Sequence, residues 1–307
     1  MTAPTHKGHE TAPHDAEHRP QVAERDPHDA EHQPQNAQRD PGDAEHGPHD
    51  PVCTEPPSRA ARSGGLTRRL VDRFVVTGSV LETERIAARM NRIRIGGEAL
   101  RKLSSSPGQQ VRVLVPDESG RGLRGRIGEL RTYSVWSFDA TAGELDLCVM
   151  DHGEGPGARW GRTTRPGDEV RFRAPEGSFT LRQDAPYHVF VGEETASVPL
   201  GAMLAAVPDD VRVYGVVETA AEADRLPLPR SAELTYAVRG NASAASSQVL
   251  PDALRRLELP DEPGVAYIAG EARTVQRARA VLVEERGWPR RSVVTKPFWT
   301  PGRTGMD

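Results

Sequence analysis

Short runs in which apolar and polar residues alternate follow one another between residues 73 and 173. The alternation is visible in Val75-Val76-Thr77 and Ile93-Arg94-Ile95, and turn residues such as Pro107-Gly108 separate the runs. This period of two is typical of β-strands. It predicts six strands, at residues 73–86, 90–95, 111–115, 128–138, 144–150 and 169–173, with a Gly- and Arg-rich loop at 121–128. Six short strands in close succession favour a closed antiparallel β-barrel.

A different pattern begins near residue 185, where short apolar runs alternate with longer helical stretches. Such alternation is typical of a parallel sheet covered by helices. The predicted strands are residues 188–191, 211–217, 234–238 and 265–269, and the predicted helices are 196–206, 251–257 and 274–286. Ligands of such sheets bind beyond the carboxyl ends of the strands. Residues 192–195 and Gly270-Glu271 lie at two of these ends.

The first 65 residues differ from the rest in composition. A 14-residue repeat runs through them, since Pro13-His14-Asp15-Ala16-Glu17-His18 recurs at residues 27–32 and in part at 41–46. Without apolar periodicity such a segment cannot bury enough surface to offset the entropy of ordering. We therefore expect residues 1–65 to be a disordered low-complexity tail. Weak binding of a divalent metal is an alternative, but a solvated leader is the simpler interpretation.

Charge and cysteine content limit the function further. Residues 1–60 hold 5 basic and 12 acidic residues, which leaves 35 basic and 32 acidic residues for the body. No apolar run approaches the roughly 18 residues of a membrane span, and the tail lacks the apolar region of a secretory signal. Cys53 and Cys148 offer neither a disulfide framework nor a CxxC metal motif. We expect a cytoplasmic protein without a nucleic-acid partner, with Cys148 as a buried small hydrophobe.

Arg131-Thr132-Tyr133-Ser134, in the fourth predicted strand, carries the residue types that a flavin site needs. Arg131 and Tyr133 are two residues apart, so their side chains project from one face of a strand. A guanidinium pairs with pyrophosphate, a tyrosine ring packs against a flat heterocycle, and Ser134 offers a hydroxyl to its polar edge. Taken alone, the four residues are better explained by a strand with a snorkelling arginine and a half-buried tyrosine.

A glycine-rich segment at residues 151–160 follows the fifth predicted strand. Its sequence, Asp-His-Gly-Glu-Gly-Pro-Gly-Ala-Arg-Trp, predicts a turn that opens a short helix. Glycines let backbone N–H groups converge, and a helix start adds unpaired N–H groups and a positive dipole end. Together they suit a dinucleotide pyrophosphate. Such a loop soon after an Arg-x-Tyr-Ser strand favours the flavin interpretation.

The order of these motifs resembles that of the siderophore-interacting proteins, a group of ferredoxin-reductase-like flavoproteins. The shared blocks run from about residue 71 to the C-terminus: Arg131-Thr132-Tyr133-Ser134, His152-Gly153…Gly155-Pro156-Gly157-Ala158…Trp160, Pro166-Gly167-Asp168, Gly192-Glu193-Glu194-Thr195-Ala196…Pro199, Ala269-Gly270-Glu271 and Lys296-Pro297-Phe298-Trp299…Gly302. The resemblance implies an FAD-binding antiparallel barrel over residues 71–184 and a smaller, NAD(P)H-binding-like α/β domain over residues 185–307. It also implies reduction of ferric siderophores with electrons from NAD(P)H or a ferredoxin.

The resemblance also assigns roles to individual residues. FAD would be bound by Arg131, Tyr133, Ser134, His152, Gly153, Gly155, Gly157, Ala158 and Trp160. The nicotinamide side would comprise Gly192, Glu194, Thr195, Gly270 and Glu271, and the substrate side Lys296, Trp299 and Arg303. No catalytic side chain and no protein-bound metal are expected, because a reduced flavin passes electrons to Fe(III) by its own chemistry.

The electron donor stays open between NADH, NADPH and a ferredoxin. Gly192-Glu193-Glu194-Thr195 lacks the three-glycine dinucleotide fingerprint, and a strand-to-helix turn capped by Thr195 also explains it. Glu193 and Glu194 would repel the 2′-phosphate of NADP if they faced it.

At Trp136 and Thr300 the chain departs from the family pattern, which usually has arginine there. Basic groups near the flavin attract anionic ferric complexes, so Lys296 and Arg303 are the remaining candidates. The departures favour a second hypothesis, a flavin-containing reductase that serves a biosynthetic partner enzyme. A third, a carrier that binds a ferric siderophore without reducing it, has no positive support in the residues.

Overall fold

The protein is described here by a computed structural model that covers residues 75–116 and 128–303. The predicted tail and most of the loop predicted at residues 121–128 lie outside these ranges. Six strands form a closed antiparallel barrel: β1 (Val75–Ala87), β2 (Met90–Gly96), β3 (Gln110–Val115), β4 (Glu129–Asp139), β5 (Glu144–Met150) and β6 (Glu169–Arg173). Around the barrel they follow the order β1-β2-β5-β4-β3-β6, and β6 closes on β1. The predicted barrel is confirmed.

The alternation seen in the sequence fills the interior of the barrel. Apolar side chains from neighbouring strands are fully or almost fully buried: Ile93, Ile95, Val111, Val113, Leu145, Leu147 and Phe172. Each side chain of this size contributes roughly 1.5–3 kcal/mol when it leaves water. Polar neighbours such as Arg92 face outward, where Arg92 forms ion pairs with Glu82 and Glu84.

A short helix, α1 (Pro156–Thr163), connects β5 to β6. Its buried residues are Ala158, Trp160 and Gly161, and Trp160 belongs to the apolar cluster of the barrel. Gly161 lies so close to β5 that a Cβ atom there would be 2.6 Å from Val149 Cγ1. The packing therefore fixes α1, and with it the glycine-rich turn at its start, against the barrel wall.

The remaining strands form a five-stranded parallel sheet. They are β7 (Tyr187–Glu193), β8 (Arg212–Thr219), β9 (Thr235–Val238), β10 (Val265–Glu271) and β11 (Val293–Trp299), with helices α2 (Ser197–Leu204), α3 (Val249–Arg256) and α4 (Ala272–Ala280). The order is β11-β10-β7-β8-β9 and every pair is parallel. The first strand, β7, is central, so the chain order reverses between β7 and β10. Ligands of doubly wound sheets bind at such a switch point.

Two elements of this half differ from the predictions. Strand β11 was not predicted, because Lys296 and Pro297 interrupt its apolar run; β11 lies at an edge of the sheet, where proline is tolerated. The helix predicted at residues 274–286 is α4 followed by a π-helical turn, Val281–Glu285. Within the described ranges, no helix is long and apolar enough to cross a membrane.

One apolar cluster joins the barrel to the parallel sheet. Met90 and Cys148 from the barrel pack with Leu200 and Met203 of α2 and with Tyr267 of β10. Cys148 is a buried free thiol, as predicted, and burial raises its pKa. The shared cluster therefore holds the β2–β5 part of the barrel against α2 and the parallel sheet.

Candidate functional site

Four of the predicted cofactor residues contact one another across β4 and α1. Arg131 and Tyr133 share one face of β4, as their spacing predicts. A Cβ atom on Gly157 would lie 2.6 Å from Tyr133 Oη and 3.6 Å from Arg131 Cγ. The ring centroids of Tyr133 and Trp160 are 5.4 Å apart. The structure therefore unites the strand motif and the glycine-rich motif, and a side chain at position 157 would have to displace the Tyr133 hydroxyl.

The hydroxyl of Tyr133 is the most informative atom of this group. It is buried and has no hydrogen-bond partner within residues 75–116 and 128–303, which the structure describes. Desolvation raises the pKa of Tyr133, so the phenol stays neutral. A buried hydroxyl without a partner costs about 1–3 kcal/mol. Such a cost is expected where a ligand completes the hydrogen bond.

The turn before α1 leaves room for a phosphate group. Gly153 has a φ of 59°, a conformation that favours glycine. A Cβ atom on Gly153 or Gly155 would meet no atom within 4 Å. Helix α1 begins at Pro156 with no side-chain cap and no acidic residue in its first turn. The N-cap residue, Gly155, thus offers no side chain to the first N–H groups of the helix, and a helix start of this kind suits an anion such as phosphate.

Arg162, which the sequence analysis missed, fixes the shape of this turn. Its guanidinium donates to Asp151 Oδ1 at 2.6 Å, to the Gly153 carbonyl oxygen at 2.9 Å and to Glu154 Oε2 at 3.0 Å. One side chain therefore holds three consecutive parts of the loop. Its position on α1, one to two turns after the glycines, was the signal that could have identified it.

The other predicted cofactor residues are placed as follows. Arg131 pairs with Glu129 and donates to the Leu130 carbonyl oxygen at 3.0 Å, so its guanidinium lies along its own strand. Ser134 follows on β4, opposite Gln110 of β3. His152 is in the exposed part of the loop, and Ala158 is buried against the barrel.

Glu193, at the carboxyl end of β7, is a buried carboxylate at the switch point. It accepts hydrogen bonds from the Thr195 amide at 2.9 Å, from the Thr195 hydroxyl and from Trp299 Nε1 at 2.9 Å. Burial, and then the charge of neighbouring Glu194, raise the pKa of Glu193 to about 7. Thr195 is thus engaged with Glu193 and does not present a free hydroxyl.

Glu194 is also buried and is surrounded by donors. Its oxygens accept from Arg89 Nη2 at 2.8 Å, from the Ala220 amide at 2.8 Å and from both terminal nitrogens of Arg239, at 2.7 and 2.8 Å. Burial opposes the charge, but the hydrogen bonds from Arg239 and the other donors prevail and lower the pKa of Glu194. Neither Glu193 nor Glu194 is an exposed charge at the carboxyl end of β7, because both side chains are buried.

Gly192, Gly270 and Glu271 have structural reasons for their identity. A Cβ atom on Gly192 would lie 2.2 Å from Ala196 Cβ, and one on Gly270 would lie 2.7 Å from Glu193 Oε1. Glu271 caps α4 by accepting from the Thr274 amide at 2.9 Å. Its second oxygen, Oε1, is buried and has no hydrogen-bond partner in the part of the chain that the structure describes. Among the side chains of the five predicted nicotinamide-side residues, this oxygen is the acceptor that the described residues leave unsatisfied.

The predicted substrate residues lie on β11 and just after it. Lys296 is level with Ala269 on β10, and Trp299 is level with Glu271. Trp299 connects this edge of the sheet to Glu193 through its indole nitrogen. Arg303 is exposed in the turn that follows. The structure thus ties Trp299 to the switch point and leaves Arg303 on the surface beyond it.

Trp136, at a position where the family usually has arginine, is a packing residue. Its ring lies against α2, since a Cβ atom on Gly201 would be 2.4 Å from Trp136 Cζ3. It also borders the cluster that joins the two halves of the molecule. The departure at position 136 is therefore explained by contact between the barrel and α2.

Comparison with known proteins agrees with this architecture. Residues 79–179 match the family of the siderophore-interacting FAD-binding domain, and residues 185–302 match the siderophore-interacting protein family. The first match coincides with the barrel, and the second coincides with the parallel sheet. This chain belongs to the siderophore-interacting protein family.

The chain is also similar to individual proteins whose names refer to siderophores or their uptake. The chain is 28 % identical over 178 residues to the ferric vibriobactin reductase ViuB of Vibrio cholerae, a match that covers 56 % of this chain and 65 % of that protein. It is 25 % identical over 232 residues to the mycobactin import ATP-binding/permease protein IrtA of Mycobacterium tuberculosis, covering 74 % of this chain and 26 % of IrtA. A siderophore utilization protein from T. fusca superimposes with a TM-score of 0.67 at 28 % identity, covering 76 % of this chain and 95 % of that one.

Proposed function

We propose that this siderophore-interacting protein is an FAD-dependent oxidoreductase that reduces ferric siderophores, with electrons from NAD(P)H or a ferredoxin. The observation that supports the proposal most is the junction of Tyr133 with Gly157 and Trp160. There a buried tyrosine hydroxyl, which has no partner among the described residues, lies beside the start of a helix whose N-cap residue, Gly155, has no side chain to cap it. When bound, FAD supplies the one-electron chemistry that converts Fe(III) to Fe(II).

The residues of β4 and of the glycine-rich turn would bind and orient the cofactor. Arg131 would exchange its pairing with Glu129 for a charge-assisted contact with pyrophosphate. Tyr133 would donate its hydroxyl to FAD and pack its ring against it, and Ser134 would address the polar edge of the flavin. The turn from His152 to Ala158 would hold the phosphates through backbone N–H groups, with Trp160 behind Tyr133.

The switch point between β7 and β10 would receive a nicotinamide donor. Gly192, Glu194, Thr195, Gly270 and Glu271 border it, and the free oxygen of Glu271 would accept from the donor. Glu194 and Thr195 would act indirectly, because their polar atoms are bound to the protein. A ferredoxin in place of NAD(P)H would need no dinucleotide contact here.

The ferric complex is the substrate, and Lys296, Trp299 and Arg303 would contact it. Catecholate and hydroxycarboxylate complexes are anionic, so cationic side chains near the flavin would attract them. Fe(II) binds hard oxygen ligands more weakly than Fe(III), which favours release after reduction. The biosynthetic reductase is the alternative, but the packing of Trp136 against Gly201 explains one of its two supporting departures by structure alone.

The proposal is tested by titrating the purified chain with FAD and following the flavin spectrum. We expect stoichiometric binding, bleaching of the flavin by NADH, NADPH or a reduced ferredoxin, and reoxidation on addition of a ferric siderophore. Lys296→Ala and Arg303→Ala should raise KM for an anionic complex more than they lower kcat, and salt should affect the double variant less than the parent. A chain that binds no FAD would refute the proposal.

A further inference from the structure

Arg89 lies in the tight turn between β1 and β2 and bridges the two halves of the molecule. Its guanidinium donates to Asp224 through Nε at 2.9 Å and Nη2 at 3.0 Å, and to Glu194 through Nη2 at 2.8 Å. Asp224 and Glu194 both belong to the parallel-sheet half and are buried, whereas Arg89 belongs to the barrel. This contact was not predicted from the sequence.

The backbone of the same turn forms hydrogen bonds with two different segments of the chain. The carbonyl oxygen of Arg89 accepts from the Asp151 amide at 2.7 Å, and Asp151 is the residue at which the glycine-rich loop begins. The amide of Ala88 donates to the Ala223 carbonyl oxygen at 2.8 Å. Through its backbone Arg89 thus holds the loop that would bind FAD phosphates, and through its side chain it holds the carboxyl end of β7.

The contact is specific in direction and charge. Two donors of one guanidinium match the two oxygens of Asp224, a planar geometry that lysine cannot reproduce. The hydrogen bond to Asp224 is the largest of the effects that raise the pKa of Arg89, so the cation persists. Glu194 is in turn fixed by Arg239 and the Ala220 amide, so a displacement of Arg89 would be transmitted to the ends of β8 and β9.

We infer that Arg89 is a positioning residue. It sets the glycine-rich loop, residues 151–160, relative to the switch point between β7 and β10, where the electron donor would bind. The inference rests on the proposed function, because it assumes that FAD occupies the loop and that an electron donor occupies the crevice. Met90, Leu200 and Met203 hold the two halves together without Arg89. Loss of the side chain therefore changes their alignment and does not separate them.

The test compares Arg89→Ala with Arg92→Ala in the full chain loaded with FAD. Arg92 is three residues away and pairs with Glu82 and Glu84 on the barrel surface, so it controls for lost charge and lost ion pairs. Flavin reduction is followed in anaerobic stopped flow with NADH, NADPH or photoreduced ferredoxin, and separately with dithionite. Misplacement by about 1 Å costs up to about a hundredfold in rate.

We expect Arg89→Ala to lower the limiting rate of reduction by the donor at least about tenfold. Its Kd for FAD and its dithionite rate should stay within about threefold of the parent, and Arg92→Ala should match the parent throughout. Arg89→Lys should recover only part of the rate, because one ammonium group cannot replace the forked N–H donors of a guanidinium. A donor rate equal to that of the parent, or an equal loss of FAD affinity and donor rate, would overturn the inference.

Amide hydrogen exchange supplies a readout that does not depend on turnover. In Arg89→Ala, exchange should accelerate at Asp151 and Ala220, whose amides bond to Arg89 and Glu194, and not at the centre of β5. Unchanged exchange at both amides would contradict the inference even if the parent reduced no substrate. Should Arg89→Ala fail to fold, Asp224→Asn, which keeps the shape and removes the charge, replaces it with the same expected direction. If the parent binds no FAD, the proposed function fails and the exchange result still decides the role of Arg89.

Discussion

The indole nitrogen of Trp299 donates a hydrogen bond of 2.9 Å to the buried carboxylate of Glu193. These residues are 106 positions apart and come from β11 and β7, which lie on either side of β10. Trp299 is also a proposed substrate residue, so the contact links the substrate side of the molecule to the switch point. The protonation state of Glu193 therefore bears on both the switch point and the substrate side.

Glu193 should make the stability of the protein depend on pH. Its folded pKa of about 7 exceeds the ordinary value of 4.5, so its contribution is complete below about pH 4.5 and is lost as the pH rises through 7. We expect the free energy of unfolding of the parent to fall, relative to Glu193→Gln, by on the order of 3 kcal/mol between these limits. Urea unfolding at several pH values measures this, and parallel curves for the two proteins would contradict it.

Trp299→Phe is the matched variant for that experiment. It keeps an aromatic ring and removes the one hydrogen bond from β11 that favours the charged form of Glu193. The pH at which stability declines should therefore move upward relative to the parent. A downward movement would show that the indole does not stabilise the carboxylate.

Tyr133→Phe should separate stability from cofactor binding. Removing a buried hydroxyl without a partner should leave the FAD-free protein equally stable, or more stable by about 1 kcal/mol. The same change should weaken FAD binding about fivefold to tenfold, because the hydroxyl would donate to FAD. Melting temperature without FAD and fluorescence titration with FAD give the two values. A large loss of stability without FAD would mean that the hydroxyl has a partner in the protein.

Gly157→Ala and Gly155→Ala should affect the flavin loop in different ways. A Cβ atom on Gly157 would collide with Tyr133 Oη, whereas one on Gly155 meets no protein atom within 4 Å. We expect Gly157→Ala to lower the melting temperature of the FAD-free protein and Gly155→Ala to leave it unchanged. Both should weaken FAD binding, the second because its methyl group enters the space proposed for phosphate. Unaltered FAD affinity in Gly155→Ala would argue against phosphate at this turn.

Substitutions of Arg131 and of its partner Glu129 should affect FAD affinity differently. Arg131→Ala removes a charge-assisted contact worth about 1.5–3 kcal/mol, so FAD affinity should fall roughly tenfold to over a hundredfold. Glu129→Gln removes the carboxylate that pairs with Arg131 and should leave FAD affinity equal or higher. Titrations at low and high salt measure both. Weaker binding in Glu129→Gln would indicate that the pair itself shapes the site.

The sequence was sufficient for most of the strands and helices, and insufficient for contacts between distant segments. The period-two runs predicted all six barrel strands, and the Arg131–Tyr133 spacing predicted their common face, because both are local properties of a strand. Strand β11 was not predicted because Pro297 interrupts its apolar run, and an edge strand tolerates such a proline. The bonds of Glu194 to Arg89 and Arg239 join residues 105 and 45 positions apart. Such pairs are set by topology, so Glu194 could be identified as a motif residue but not as the centre of a buried network.

Reduction of iron is the measurement that tests the central claim most directly. The FAD-loaded chain would be mixed without oxygen with NADH or NADPH, or with reduced ferredoxin, and with ferric catecholate, hydroxamate and carboxylate complexes in separate reactions. A coloured ferrous chelator would record Fe(II), and protein without FAD is the control. We predict catalytic formation of Fe(II) with at least one complex, and none without FAD. A flavin that the donor reduces readily while every ferric complex stays unreduced would contradict the account.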